Sequence, residues 1–340
     1  MRRDLSGGLI TMSDLATPAA RPDLDEALDR YRVELTGYCY RMLGSSFDAE
    51  DAVQDTYVRA WRSYEKFEGR SSLRSWLYRI ATNVCLDLLN AGNKRARPMD
   101  LTEQGRQASA VLNTRPEVTW LEPVPDARVL PQAPADPAEL AQAKESVRLA
   151  FVAALQHLPA KQRAVLILRE VLAWKADEVA ELLDTSVASV NSALQRARAT
   201  MSAQQVKRTE SADPLDEEQR SLLARYLEAF EAYDITALTA LLHEDAVLSM
   251  PPFDLWLQGR ADIAAWHLNQ GIGCKGSRLI PTTANGMPAF GQYRPSASGQ
   301  GHEPWALQVL EVSGGRIVGL NAFLDTDRWF PLFGLPERLA

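Results

Sequence analysis

The sequence has 340 residues, 46% hydrophobic and 24% charged, a balance typical of folded globular domains. This length predicts two or three domains. No apolar run reaches the ~18 residues that span a bilayer, and the N-terminus lacks the apolar stretch of a signal peptide. Cys39, Cys85 and Cys274 are too far apart for a disulfide framework or a zinc site, and the four histidines include no close pair. We therefore expect a cytoplasmic protein with no metal and no cofactor.

The net charge of −7 hides segments of opposite sign. Residues 23–55 carry −6 and residues 59–97 carry +6, while residues 139–208 carry +3 and residues 209–340 carry −8. Binding to phosphate depends on local clusters rather than on the total charge. The two basic segments are therefore compatible with nucleic-acid binding, and the acidic ones leave surfaces for protein partners.

Hydrophobic periodicity and proline spacing predict a multidomain chain, with two all-α domains followed by an α+β domain. The α+β assignment comes from alternating apolar segments such as WALQVLEV and GRIVGLNAFL, which follow predicted helices. The predicted divisions are a flexible tail at 1–22 (with Met12 as an alternative start), a helical domain at 23–98, a proline-rich linker at 99–138, a second helical domain at 139–208 and the α+β domain at 213–340.

The residue pattern of the first helical domain predicts two faces of opposite charge. A helix over residues 48–61 has an acidic stripe formed by Asp48, Asp51 and Asp55, which is either a solvated face or a contact for another protein. Its predicted buried side consists of Ala52, Val53, Thr56, Tyr57 and Ala60. Phe67 lies in the following loop, where an aromatic side chain packs or stacks on a base.

The next helix, over residues 73–89, separates apolar from polar positions. Its predicted core stripe contains Leu73, Trp76, Leu77, Ile80, Ala81, Val84 and Leu88. This pattern leaves Arg74, Tyr78, Arg79, Thr82, Asn83 and Asp87 on the outer face. Arg70, Arg74 and Arg79 are suited to bind backbone phosphates.

The second helical domain has the pattern of a helix-turn-helix. Helices are predicted over 159–171 and 175–183, and Ser186 is suited to cap a third helix. The third helix has a narrow apolar stripe of Val187, Val190, Leu194 and Ala197. Its other positions are small or polar, as a helix in the major groove requires. These are Ser186, Ser189, Asn191, Ser192, Gln195, Arg196 and Arg198. An ordinary helical hairpin with a solvated face is the alternative.

Two segments resemble the sigma-70 superfamily of bacterial transcription initiation factors, in particular its extracytoplasmic-function (ECF) group. YCYRMLGSSFDAEDAVQDTYVRAW and FEGRSSLRSWLYRIATNVCLDLL are similar to sigma region 2, and ALQHLPAKQRAVLILREVLAWKADEVAELLDTSVASVNSALQRAR to region 4. The resemblance implies a non-enzymatic subunit that binds core RNA polymerase, at the β′ clamp helices and the β flap, and recognises and melts promoter DNA. The linker would replace sigma region 3 in the RNA exit path.

The resemblance also implies roles for individual residues. Asp48, Asp51, Gln54 and Asp55 correspond to the polymerase contact, and the helix-turn-helix to the −35 reader. The −10 contact corresponds to Phe67, Arg70, Arg74, Arg79 and Asn83. In the family a non-template base is flipped into a loop pocket, at positions that match Phe67 and Asn83.

The linker and the C-terminal domain carry further resemblances. TWLEPVPD resembles a signature of ECF factors with a C-terminal extension, and its Trp120, Leu121 and Pro123 predict docking, because an exposed apolar cluster is costly. LLARYLEAFEAYDITALTALLHEDAVLSMPP, WLQGRADIAAWH and GLNAFLDTDRWFPLFGLPERL resemble a SnoaL-like domain, a cone-shaped α+β fold that encloses a pocket. Residues expected to line or border that pocket are Asp234, His243, Asp245, Trp256, His267, Asn285 and Asp325. Asp234 is equally suited to cap the next helix, and His243 and Asp245 to lie in a surface turn.

Catalysis, small-molecule sensing and a structural regulatory role all remain open for this domain, and the third is favoured. A short joint gives the domain a high effective concentration near both DNA-reading domains, so we expect it to modulate promoter binding in one direction or the other. The alternative function is a DNA-binding regulator fused to a ligand-binding or catalytic SnoaL-like domain that never becomes a polymerase subunit. Co-purification with core polymerase distinguishes the two.

Overall fold

The computed structural model describes residues 22–67, 69, 71–92, 95–105, 112–131, 136–203 and 217–340. Residues 1–21 of the predicted tail, Arg70 and most of the joint before the C-terminal domain lie outside these ranges. No helix within them is both long and apolar enough to cross a membrane.

The first helical domain contains α1 (Pro22–Leu43), α2 (Ser46–Ser63), a 3₁₀ turn (Tyr64–Lys66) and α3 (Leu73–Ala91). Gly44, at φ +71°, reverses the chain between α1 and α2. Ser45 then caps α2 by accepting a hydrogen bond from the backbone N–H of Asp48 at 3.0 Å. The predicted buried side of α2 is confirmed, since all five of its residues are buried.

The predicted faces of α3 are wrong at three positions. Tyr78 and Thr82 are buried rather than exposed, and Leu88 is 41% exposed rather than buried. The reason is tertiary: α3 packs against α1 on one side and against the second helical domain on the other, so more than one stripe is covered. The hydroxyls of Thr82 and Tyr38, on α3 and α1, share a 2.8 Å hydrogen bond.

The linker and the second helical domain follow. The linker contains α4 (Pro98–Leu101), a 3₁₀ turn (Glu117–Thr119) and α5 (Asp126–Val129). The second domain contains α6 (Pro137–Val147), α7 (Leu149–Gln156), α8 (Ala160–Leu166) with a π turn (Ile167–Val171), α9 (Ala176–Leu182) and α10 (Val187–Ala203).

The predicted helix-turn-helix is formed by α9 and α10. Asp184, at φ +50°, turns the chain between them, and Ser186 caps α10 by accepting from the N–H of Ser189 at 3.2 Å. Val190, Leu194 and Ala197 are buried as predicted. Val187 is 42% exposed instead, because it starts the helix, ahead of the turns that pack on α8 and α9.

The C-terminal domain is an α+β fold, as predicted. Its elements are α11 (Glu217–Glu231), α12 (Ile235–Ala240), β1 (Leu242–Ser249), β2 (Trp256–Gln258), α13 (Arg260–Leu268), a 3₁₀ turn (Gln270–Cys274), β3 (Arg278–Ala284), β4 (Met287–Pro295), β5 (His302–Ser313), β6 (Arg316–Phe323) and α14 (Thr326–Leu332). The sheet has the order β2-β1-β6-β5-β4-β3, and only β1 and β6 pair in parallel.

Both faces of this sheet are buried, in different cores. Phe290, Leu310 and Leu320 face an inner core with α11, α12 and α13. Their neighbours Ala289 and Val309 face outward, into a core that is continuous with the linker and both helical domains. Because side chains alternate along a strand, one sheet encloses its own interior and also serves as the base for the helical domains.

Candidate nucleic-acid and partner interface

The acidic side of α2 is partly occupied by contacts within the chain. Asp48 forms an ion pair with Arg95 at 2.7 Å, and Asp55 forms one with Arg59 at 2.9 Å. Asp51 and Gln54 are exposed to solvent. Of the four predicted polymerase-contact positions, Asp51 and Gln54 are therefore the ones that present free surface, and Asp48 is engaged by Arg95 of its own domain.

Phe67 does not project alone from its loop. Its ring lies 4.9 Å from that of Trp76 and 6.2 Å from that of Tyr64, between centroids. The three rings form an aromatic cluster at the start of α3, half-buried and open to solvent on one side. Asn83 lies further along α3 and is exposed. Base stacking at Phe67 would have to extend this cluster or displace one of its rings.

Arg74 and Arg79, two of the arginines predicted to bind −10 phosphates, contact other parts of the chain. Arg74 donates from Nε to Glu34 at 2.8 Å, and its guanidinium lies 5.1 Å from the ring centre of Trp174, just before α9. Trp174 also packs on Tyr78, at 5.0 Å between ring centres. Arg79 donates to the carbonyl oxygen of Glu181 on α9. The helix-turn-helix thus contacts the first turns of α3 at Arg74, Tyr78 and Arg79, a contact that the sequence did not predict. Asn83 and Asp87, further along the same face, are exposed.

The outer side of α10 is open. Among its predicted groove-facing residues, Ser186, Ser189, Asn191, Gln195 and Arg196 are exposed, while Ser192 is half-buried and accepts a 2.6 Å hydrogen bond from Arg196. Arg198 is exposed but forms an ion pair with Glu170 at 2.5 Å. The helix therefore presents small and amide side chains near its start and a cation further along, a surface suited to base edges and phosphates.

The linker segment 119–126 is buried where the three domains meet. Trp120, Leu121 and Pro123 are all buried, Trp120 and Leu121 at 4% and 2% exposure. Glu122, between them, is 1% exposed, and its carboxylate accepts from Ser45 Oγ at 2.6 Å. Sequence reasoning missed Glu122, although a lone acid inside an apolar signature was a signal that it has a buried partner.

Two arginines from different domains neutralise Glu122. Arg95 and Arg328 each lie 3.1 Å from its Oε1 atom. Arg328, at the start of α14, also forms an ion pair with Glu117 at 2.8 Å and lies 4.4 Å from the ring centre of Phe47 in α2. The C-terminal domain thus contacts both the linker and the first helical domain through a single side chain.

Asn285 forms hydrogen bonds to the first helical domain, to the linker and to the second helical domain. This residue, fully buried at 0% exposure, donates from Nδ2 to Tyr40 Oη at 2.6 Å and to the carbonyl of Val147 at 2.8 Å. Its Oδ1 accepts from the N–H of Val124 at 3.0 Å. Burial raises the pKa of Tyr40, so that the phenol stays protonated and donates to the carbonyl of Glu122 at 2.6 Å. Asn285 therefore lies at the domain junction and not at the border of a pocket.

Asn285 can take this place because of the turn that carries it. Asn285 and Gly286, both at positive φ, connect β3 to β4 as a two-residue hairpin. A Cβ atom at Gly286 would lie 2.8 Å from the carbonyl oxygen of Lys144, so only glycine allows α6 to approach this closely.

Two buried arginines attach the second helical domain to the first. Arg41 donates to Ser146 Oγ at 2.7 Å, and Arg163 donates to Gln156 Oε1 at 2.7 Å and to the carbonyl of Met42. Burial lowers the pKa of each to about 10. Both stay cationic at neutral pH, and their hydrogen bonds replace part of the lost hydration.

The predicted C-terminal pocket residues do not lie together. Only His267 lines the cavity on the inner face of the sheet, while Asp234 borders a separate cleft between α11 and α12. Asp234 caps α12 by accepting a hydrogen bond from the N–H of Ala237 at 2.9 Å, which is the alternative role given for it above. Trp256 donates to the carbonyl of Thr102 at 3.0 Å and so holds the linker, and Asp325 lines a separate cavity beside Arg328.

His243 and Asp245 do not line the cavity on the inner face of the sheet, and the alternative that they lie in a surface turn is wrong. Both lie within β1, where His243 Nδ1 accepts from the N–H of Asp245 at 3.2 Å. The pairing of β1 with β6 shifts between Leu242 and Val247, so these residues sit in a bulge on the outside of the domain.

Three family models match the chain: Sigma-70 region 2 over residues 27–95, Sigma-70 region 4 over residues 148–201 and a SnoaL-like domain over residues 223–320. The ECF RNA polymerase sigma factor SigG of Mycobacterium tuberculosis is 46% identical to this chain, over 97% of this chain and 90% of that protein. The chain belongs to the ECF RNA polymerase sigma factors. This sigma factor is therefore a transcription initiation factor, and its partners are core RNA polymerase and promoter DNA.

A second sigma factor of the same organism has the same domain order. SigJ of M. tuberculosis is 29% identical, over 91% of this chain and 94% of that protein. Its crystal structure covers 93% of this chain and all of its own with a TM-score of 0.58 at 23% identity, which shows a shared fold. The expected family and fold class, two sigma helical domains and a SnoaL-like domain, are confirmed.

Proposed function

We propose that this sigma factor is held in a compact arrangement in which region 4 covers the promoter-facing side of α3, and that initiation requires its release. The observation that supports this is the contact of Trp174 and Glu181 with Arg74, Tyr78 and Arg79. Arginines that bind a carboxylate and a carbonyl of their own chain are not available to phosphates. The SnoaL-like domain acts here as a restraint, since Asn285 joins region 2, the linker and the start of region 4.

Once released, the chain acts through three surfaces. Asp51 and Gln54, with Asp48 and Asp55 beside them, contact the β′ clamp helices, and region 4 contacts the β flap. Phe67, Arg70, Arg74, Arg79 and Asn83 bind the −10 element, and the outer side of α10 binds the −35 element. The site of action is the cytoplasm, where core polymerase transcribes.

We propose no enzymatic role for the SnoaL-like domain. Among the described residues, no Asp or Glu lines the cavity on the inner face of the sheet, so His267 has no carboxylate there with which to form an acid–base pair. Asp234, His243 and Asp325, the other predicted members of such a site, lie elsewhere on the domain.

Binding of the purified full chain to purified core RNA polymerase tests the function. The wild-type chain is expected to bind, and Asp51→Lys to bind about tenfold more weakly, because a cation replaces an exposed anion in a charge-complementary contact; tenfold corresponds to ~1.4 kcal/mol. Fluorescence titration of a labelled chain measures the affinity.

Glu228→Lys, which reverses an exposed charge on α11, is the matched control and should bind like the wild type. Failure of the wild-type chain to bind would favour the alternative of a DNA-binding regulator that is not a polymerase subunit. Equal binding by Asp51→Lys would contradict the assignment of α2.

A further inference from the structure

We propose that the cavity of the SnoaL-like domain binds a small aromatic carboxylate of one or two rings, with the anionic group at Arg294, and that the bound molecule contacts the interdomain linker through Leu112. The site is separate from every polymerase or DNA contact. Its existence does not depend on the proposed function, but its consequence for transcription does.

The size and lining of the cavity favour an aromatic body. Its volume is about 230 Å³, larger than the ~150 Å³ apolar cavity that admits one benzene molecule. Most of its walls are apolar, and they come from the inner face of the sheet and from α11 and α13. They include Phe230, Leu248, Met250, Phe253, Trp266, Leu320 and Leu324.

The polar groups at the sheet side of the cavity are fixed by one another. Tyr226 donates to Gln308 at 2.7 Å, Gln308 donates to Gln292 at 2.8 Å, and Gln292 donates to Ser277 Oγ at 3.0 Å. This chain of hydrogen bonds holds both amides in one orientation. It therefore provides a rigid polar patch beside the apolar walls, a composition typical of ligand sites.

His267 supplies a polar atom that lacks a partner. Its side chain lines the cavity at 7% exposure, and Nδ1 makes no hydrogen bond to any described residue. An unpaired buried nitrogen costs free energy, which a ligand able to hydrogen-bond would recover. No polymerase or DNA contact of the sigma factor uses this nitrogen.

Arg294 supplies a positive charge without a counter-ion. Its guanidinium lies over the ring of Trp305, 3.2 Å from the ring centre, and Nη2 donates to Cys274 Sγ at 3.0 Å. Nε has no partner, and no carboxylate of the described chain forms an ion pair with Arg294. An arginine held flat on an aromatic ring beside an apolar cavity is suited to bind a carboxylate.

The mouth of the cavity is apolar and includes the linker. Leu112 and Trp305 line the cavity while remaining 42% and 38% exposed, and Leu268 and Ile272, next to lining residues, are 58% and 52% exposed. Large apolar side chains left in water at a cavity, as Leu112 and Trp305 are, are expected where an apolar molecule enters.

The linker at the mouth is tied to the loop that forms part of the wall. The carbonyl of Asn113 accepts from the N–H of Asp254 at 3.0 Å, and Arg115 donates its N–H to Pro252 at 3.1 Å. Met250 and Phe253, from the same loop, line the cavity. The linker then continues to Glu122. A molecule in the cavity therefore touches a segment that leads to the domain junction. If it binds two arrangements of the linker with different affinities, it shifts the equilibrium between the corresponding arrangements of the junction.

Isothermal titration calorimetry of the full chain with 2-naphthoate tests the proposal. We expect one site, at least tenfold weaker binding by Arg294→Met, and at least threefold weaker binding by Leu112→Ala. The neutral probe 2-naphthalenemethanol should bind the wild type at least tenfold more weakly than 2-naphthoate and should not distinguish the wild type from Arg294→Met.

Arg316→Met, which removes an exposed arginine from β6, is the matched control and should bind 2-naphthoate like the wild type. Ala322→Phe, which fills the cavity, should abolish binding of both probes, with circular dichroism melting to verify its fold. Absence of 2-naphthoate binding by the wild type at millimolar concentration, or equal binding by wild type and Arg294→Met, would overturn the proposal. Polymerase is absent from this assay, so its result is independent of the core-binding test.

Discussion

At the scale of single residues, the domain junction depends on buried polar side chains that bond to one another. Glu122 is 1% exposed and has two arginines and Ser45 as partners, so its charge is compensated where it lies. Removal of one member of such a group leaves the others charged and buried, which costs ~3 kcal/mol or more. Glu122 therefore matters more to the junction than the exposed charges around it.

His267 predicts a pH dependence of stability. Burial lowers its pKa from 6.5 to about 4 in the folded chain. The unfolded chain then binds the proton more tightly, so stability that is fully present above pH 6.5 is lost as the pH falls towards 4. The shift corresponds to about 3 kcal/mol. Urea unfolding of the full chain at pH 7.5 and pH 4.5 should show this loss, and His267→Gln should reduce it.

His243→Gln is the control for that measurement, since no burial of comparable depth affects His243 on the outside of β1. An unchanged pH dependence in His267→Gln would show that other groups cause the loss.

At the scale of elements, the contact between α3 and α9 determines whether the promoter-facing side of α3 is free. Trp174 is 5% exposed, and it lies between Tyr78 and Arg74. Its indole belongs to the helix-turn-helix but fills a site on region 2. Substitution of this side chain therefore acts mainly on the arrangement in which the two regions touch.

Trp174→Ala is expected to raise promoter-directed transcription severalfold. Loss of a large buried aromatic side chain costs roughly 3 kcal/mol of stability. The part of this cost that comes from the contact with α3 destabilises only the compact arrangement, so it favours release of region 4. Transcripts made by core polymerase from total genomic DNA, counted by sequencing, measure the effect without knowledge of the promoter. Leu101→Ala, which truncates an exposed apolar side chain of α4, should leave the count unchanged. A folded Trp174→Ala protein with wild-type activity would contradict the proposed restraint.

The elements also show what the sequence can and cannot predict. The buried sides of α2 and α10 were predicted because each follows a local spacing of three and four residues. Tyr78 and Thr82 were not, because their burial comes from helices far away in the chain. His267 lines the cavity as predicted, but His243 and Asp245 do not, because which side of a strand faces the cavity depends on sheet order and on the bulge in β1, neither of which is visible in local composition.

At the scale of the whole molecule, the three domains share one continuous core and one polar junction. The outer face of the sheet, the linker and both helical domains bury their apolar side chains together. Within this core, Asn285 makes its hydrogen bonds to region 2, to the linker and to α6. The compact arrangement therefore depends on one turn of the SnoaL-like domain.

Asn285→Asp is expected to open the molecule. Aspartate keeps the shape of the side chain and tolerates the positive φ, but it cannot donate to Tyr40 or to the carbonyl of Val147. Loss of two buried hydrogen bonds costs roughly 2–4 kcal/mol. Small-angle X-ray scattering should show a larger radius of gyration, and trypsin should cleave the linker faster.

Asn269→Asp is the control, because Asn269 is exposed and its side-chain amide donates to the carbonyl of Ala265, within the same domain. If Asn285→Asp keeps the wild-type radius and cleavage rate, Asn285 does not hold the domains together.

The burial of linker segment 119–126 among all three domains has a consequence for how the sigma factor responds to a signal. This segment is a single extended strand of chain, so it cannot leave region 2 while staying attached to Asn285 and Arg328. Partial release of the segment would break several buried hydrogen bonds and ion pairs and would restore little conformational entropy. Activation is thus expected to be two-state: each molecule is either inactive or fully competent, and the stimulus changes only the fraction of competent molecules.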